Sequence, residues 1–158
     1  MKKFLLLLTL IPALLQAQTE KYMAGAVPEI DGKVVFIREL NVQKFSQEQI
    51  YEAVMAWVNQ QASNKTFNVL YNDSQKKMIA INNQDLMTIK IGLFPGKVKA
   101  LYNLTISTAD GKCILETSRI KYKNNPSSAN SEEIIKAEEF ITDKYALNKA
   151  KTKLYKGT

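Results

Sequence analysis

Hydrophobic positions change their spacing several times along the chain, and each change marks an element. Residues 33–42, KVVFIRELNV, are β-branched and apolar-rich and predict a strand. Ser46 follows, then QEQIYEAVMAWVNQQA. Ser46 with Gln49 three residues on fits a capping box. Ile50, Val54, Trp57 and Val58 recur at helical spacing, widened by Tyr51 and Met55. A helix therefore opens at Ser46 and packs on a sheet through this stripe, with Trp57 assigned to the core.

After Ser63-Asn64 the period becomes two. TFNVLYN places Phe67, Val69 and Tyr71 on one face, NDSQK (72–76) is a turn, and KMIAIN (77–82) is the returning strand. NNQD (82–85) reads as a further turn before LMTIKIGLF (86–94), and Pro95-Gly96 suits the centre of a type II turn. In KVKALYNLTIS (97–107), Val98, Ala100, Tyr102, Leu104 and Ile106 point one way. Lys97, Lys99, Asn103 and Thr105 point the other, with Leu101 the apolar exception. Asp110-Gly111 is a hairpin signal leading into KCILETSRIKYK (112–123). Five strands joined by short turns predict an antiparallel meander with one face solvated.

The polar loop NNPSSAN (124–130) precedes EEIIKAEEFITDKYALNKAKTKLY, which opens at Ser131. Glu132 and Glu133 near its start and Lys149, Lys151, Lys153 and Lys156 near its end complement a helix dipole. Ile134, Ala137, Ile141 and Tyr145 share a helical face, and Thr142-Asp143 marks a kink or short break. The expected class is α+β with order β-α-β5-α, an antiparallel sheet packed against a long C-terminal helix. Residues 18–32 show no period and form an N-terminal lead-in, so the single domain spans 33–156.

The first 17 residues have a different character. Lys2 and Lys3 precede an apolar run from Phe4 to Leu15, and small Ala17 follows. This is the pattern of a secretory signal peptide. The run of about 12 residues is too short for a bilayer span of roughly 20. Cleavage after Ala17 leaves a chain that starts at Gln18, with no cysteine nearby to carry a lipid anchor. The mature chain has no transmembrane segment. The expected location is periplasmic or extracellular.

Charge and cysteine narrow the chemistry. The chain holds 22 basic and 15 acidic residues; without the two signal-peptide lysines the balance falls from +7 to +5. That modest excess does not imply nucleic acid, which an exported protein seldom meets. Cys113 is the lone cysteine, so no disulfide forms within the chain, and its place in a predicted strand reads as a buried small hydrophobe. There is no histidine, which removes histidine-based triads and general bases and most catalytic zinc sites. No phosphate-binding glycine motif is present. The pairs Glu132/Glu133 and Glu138/Glu139 read as solvated acidic residues, and Asp73, Asp85 and Asp110 as turn residues. No catalytic, cofactor-binding or metal-ligating set emerges, and no cofactor is expected. Arg38 and Arg119 are the only arginines, both in predicted strands, and are the candidate anion-binding residues, against the plainer reading of surface residues paired with Glu39 or Glu116.

Three blocks, AGAVPEIDGKVVFIREL (24–40), GKCILETSRIKY (111–122) and AEEFITDKYALNKAKTKL (137–154), resemble a family of exported bacterial domains of unknown function with a TATA-binding-protein-like fold. The resemblance implies a curved antiparallel sheet gripping a long C-terminal helix, a helix-grip-like arrangement. It supplies no activity and no catalytic residues.

The expected function is that of an exported, non-enzymatic envelope or secreted binding module, whose partner is a small molecule, glycan, lipid or envelope protein. The alternative is a small cyclase- or hydrolase-like enzyme using carboxylates or tyrosines in a cavity between sheet and helix. Nucleic-acid binding across the sheet would need exposed aromatics and more arginines than two.

Overall fold

The computed structural model describes residues 24–91, 94–124, 134–151 and 154; the expected signal peptide and the acidic pair Glu132/Glu133 lie outside them. Two short strands, β1 (Glu29–Ile30) and β2 (Lys33–Val34), form a hairpin ahead of β3 (Phe36–Asn41). Its turn is Asp31-Gly32, both left-handed at φ 49° and 70°, as a type I′ turn requires. The predicted strand 33–42 is thus broken at Val35, whose N–H donates to the Pro28 carbonyl.

Helix α1 (Gln47–Gln60) begins where expected. The Ser46 hydroxyl accepts from the Gln49 N–H, and the Gln49 side chain accepts from the Ser46 N–H. Asp110 adds a second anchor by accepting from the Gln47 N–H at 2.8 Å. Ile50 and Val58 are buried, with Val54 and Met55 packed against the same cluster. Trp57 departs from its core assignment: it is 39% exposed and meets Phe67 edge-on at the rim, 5.5 Å between ring centroids. Tyr51 is buried instead, and its hydroxyl donates to Asn72 on the sheet.

The main sheet is antiparallel in the order β3-β7-β6-β5-β4, with β4 (Asn68–Asp73), β5 (Met78–Ile91), β6 (Phe94–Ala109) and β7 (Lys112–Asn124). α1 carries the chain from one edge strand to the other, and three hairpins return it. Ile79 and Ile81 of β5, Leu104 and Ile106 of β6, and Cys113 and Leu115 of β7 form the floor under α1.

The meander holds four long strands, not five. NNQD is no turn: Asn82 to Asp85 pair with Asn103 to Ala100 within one continuous β5. Cross-strand partners meet several of these polar groups, while Asn83 Oδ1 is buried without one among the described residues. Asn82 Nδ2 donates to the Tyr102 carbonyl and to Asn103 Oδ1, Asn83 Nδ2 donates to the Tyr102 hydroxyl, and that hydroxyl donates to Asp85. Pro95 and Gly96 likewise pair with Lys90 and Ile89, so the reversal falls between Ile91 and Phe94 rather than at Pro95-Gly96.

The long C-terminal helix is absent. Residues Ile134–Lys136 form β8, Ala137–Glu139 make a 3₁₀ turn, and Asp143–Ala146 are one helical turn, α2. The cause is an open edge. β3 pairs with β7 only from Lys112 to Thr117, and β-branched Ile134 and Ile135 complete the edge by pairing β8 with Lys121 to Lys123. Thr142 stands at the N-cap position of α2 without a side-chain cap bond and instead donates its hydroxyl to the Glu138 carbonyl. Of the predicted stripe, Ala137 is fully buried, whereas Ile134 and Tyr145 are exposed. Ala137, Val34 and Ile120 form a second core beside Val27, Tyr102, Tyr122 and Ile141.

Candidate functional site

Strand alternation decides which side chains face away from α1. Leu104 and Ile106 lie under the helix, so Leu101, Asn103 and Thr105 face the other way. By the same register Asn82 of β5 and Ser118 of β7 join Asn103 on that face. β7 then bulges. Ser118 pairs with Asn103 and Lys121 with Leu101, leaving Arg119 and Ile120 together opposite Tyr102. Arg119 takes the left-handed position at φ 53°, where glycine is the cheaper residue. The extra residue turns Ile120 inward to the second core and leaves Lys121 on the outer face.

A groove of about 760 Å³ runs across this face. Leu70 of β4, Asn82, Leu101 and Asn103 line one part; Ser118, Arg119, Ile120 and Lys121 of β7, with Lys136 and Glu138, line the other, beside Lys33 and Val35. Four cations meet one carboxylate there, and Glu138 Oε1 is already engaged by the Val34 N–H at 3.0 Å. Lys136 has only a long contact to Glu139, 3.9 Å. Among the described residues Lys33, Arg119 and Lys121 have no ion pair.

Of the two arginines singled out in the sequence, Arg119 lines this groove and Arg38 does not. Arg38 pairs with Leu115, whose side chain belongs to the core under α1, so the register sets it on the opposite face. Neither pairs with Glu39 or Glu116: Glu39 holds Lys112 at 2.9 Å. Lys33, Lys121, Lys136, Asn82 and Asn103 were not apparent as a set, because only tertiary pairing gathers them. One signal did exist. Leu101, the apolar exception on the polar face of its strand, lies in the groove.

The tyrosine–carboxylate cluster lies elsewhere, on the α1 side of the sheet. Burial, and then the hydrogen bond to Asp85, raise the Tyr102 phenol above its ordinary value. A phenol so held keeps its proton at neutral pH, which disfavours it as a general base. Cys113 is buried and its thiol is pushed up by desolvation, which leaves it unreactive. Among the described residues no group of acidic or cysteine side chains is placed to hold a metal ion, and no helix is long and apolar enough to cross a membrane.

A family model described as a domain of unknown function (DUF4468) with TBP-like fold matches residues 36–123. The chain belongs to the DUF4468 family. It is similar to a DUF4468 family protein from Bacteroides ovatus whose crystal structure is known: identity is 36%, 85% of this chain and 78% of that one are covered, and the TM-score is 0.71. A TBP-like protein from Parabacteroides distasonis shares the fold at 22% identity, with 72% and 71% covered and a TM-score of 0.58. No curated protein matches. The DUF4468 match takes in β3 to β7 and therefore Arg119 and Lys121, while Lys33 and Lys136 fall outside it. The TBP-like likeness is one of shape, and fold alone assigns no activity.

Proposed function

We propose that this DUF4468 domain is an exported, non-enzymatic module that binds a ligand in the groove on the sheet face away from α1. The lining carries the reading. It combines an apolar floor with cations and amides in a volume of about 760 Å³, inside the range of roughly 300–1,000 Å³ common for ligand sites. Its one carboxylate already serves the backbone. Export rests on the Lys2-Lys3 start, the apolar run and Ala17. Mass spectrometry of the protein from its host should find a mature start at Gln18; a mature pool that retains Met1 would remove export from the reading.

Binding is tested by thermal shift against a panel of neutral oligosaccharides, neutral and anionic amphiphiles and acidic metabolites. The control is Ser118→Trp, which sets a large side chain in the groove lining. Ligands that raise the melting temperature of the wild type and not of Ser118→Trp support the reading. If no panel member shows that difference, the groove is not a binding site for these classes and the reading fails.

A further inference from the structure

The groove is unevenly charged. Lys136 of β8 lies opposite Lys121 of β7 in register, and Arg119 is on the same strand as Lys121. Toward β4 the lining becomes neutral. Asn82 donates to Asn103, and Leu101 and Leu70 supply apolar surface, Leu70 being 55% exposed. From β8 to β4 is four strand steps, about 19 Å at roughly 4.8 Å per step.

The cationic end is costly to the fold. Lys121 and Lys136 are like charges directly opposite across a ladder, an arrangement that destabilises a sheet. Arg119 occupies a left-handed position that favours glycine. Neither Arg119 nor Lys121 has a compensating carboxylate among the described residues. Asp31, Lys77 and Lys151 are left-handed too and lie outside the groove lining, so the facing Lys121 and Lys136 are what mark this end as a place where local stability gives way to a site.

We infer that the occupant is an amphipathic anion of small-molecule size, its acid group held by Arg119, Lys121 and Lys136 and its apolar body lying over Leu101 toward Leu70. The inference rests on the binding reading above and specifies its ligand. A polyanion would call for cations along the whole groove, and stacked bases for aromatic side chains. Here the cations sit at one end and no aromatic side chain lines the groove.

The test is titration calorimetry with dodecanoate and dodecyl phosphate below their micelle concentrations, which compares a carboxylate with a phosphate head. Dodecyl maltoside, inorganic phosphate and oligothymidylate are the controls. At least one of the two amphipathic anions should bind, and more tightly than any control. Arg119→Gly should weaken that binding roughly ten- to a hundredfold, the size of a lost charge-assisted hydrogen bond. Its melting temperature should hold or rise, because glycine relaxes the bulge. Lys121→Gln should weaken binding in the same direction without unfolding the domain. Dodecyl maltoside binding equally well, and lost in Ser118→Trp, would leave a binding groove but overturn the anionic head. Inorganic phosphate binding as tightly as dodecyl phosphate would overturn the apolar half. Oligothymidylate binding more tightly than either anion would overturn the proposal in favour of a polyanion. If no amphiphile binds and the panel shows no ligand sensitive to Ser118→Trp, this inference and the binding reading fall together.

Discussion

Gly111 and Arg119 both adopt left-handed backbone torsions, at φ 72° and 53°, for different reasons. At Gly111 the turn requires it: the residue donates to the Phe45 carbonyl and accepts from the Val42 N–H. A Cβ there would stand 3.3 Å from Gln43 Cα. Gly111→Ala should therefore destabilise by about 1–2 kcal/mol from the torsion alone, measured by urea unfolding; an unchanged midpoint would mean that the hairpin relaxes freely. Arg119 takes its torsion within the β7 bulge, where it and Ile120 stand opposite Tyr102. The tyrosines add a pH dependence. Burial raises Tyr122, and burial with the Asp85 hydrogen bond raises Tyr102. The folded state thus holds these phenolic protons more tightly than the unfolded chain. Their contribution is complete below the ordinary tyrosine value of about 10 and is lost as pH rises beyond it. Urea midpoints should fall on the alkaline side, and Tyr122→Phe should fall less steeply than the wild type. A parallel decline in the two proteins would show that Tyr122 is not the source.

At the scale of elements, the parts legible in the sequence are those whose signals are local. Ser46 and Gln49 set the start of α1 through bonds between residues three apart, and Asp110-Gly111 makes its hairpin within two. Ser46→Ala should cost about 0.5–2 kcal/mol, seen as a lower thermal midpoint; a larger loss would implicate the neighbouring Asp110 anchor as well. Where a distant strand decides, local reading fails. Asn82 to Asp85 look like a turn because their groups are polar, yet β6 supplies partners for the Asn82 and Asn83 amide nitrogens and for Asp85. Residues 131–156 show helical spacing and acidic-to-basic polarity in the sequence, yet the unfilled edge of β7 captures Ile134–Lys136 as a strand. The candidate site followed the same rule. Arg119 was visible as a residue type, and Leu101 as a break in alternation. Their union with Lys33 and Lys136 depends on a bulge and an edge strand that carry no local signature.

On the scale of the whole molecule, the two ends of the described chain stabilise one another. The Val34 N–H donates to Glu138, the Gly25 N–H donates to Asp143 at 3.0 Å, and Val34, Ile120 and Ala137 pack together. This second core is separate from the one under α1, which Ile79, Ile81 and Ile106 share with Ile50 and Val58. Two cores over one continuous pair of strands predict two levels of stability rather than one. Ala137 is the place to test it, because it is fully buried between the β1–β2 segment and β7. Ala137→Leu overpacks that contact, at a cost of about 1–3 kcal/mol. In native-state hydrogen exchange, the amides of Val34 and of β8 should lose protection together, while those of Ile79, Ile81 and Ile106 keep theirs. Val34 is the sensitive reporter, since its N–H is held by Glu138 rather than by a ladder. Equal loss under α1 would mean that the sheet couples both cores into a single cooperative unit. In that case the groove could not change its Lys33 and Lys136 rim without opening the fold. Selective loss would place the rim on the less stable unit, where a ligand can order it on binding.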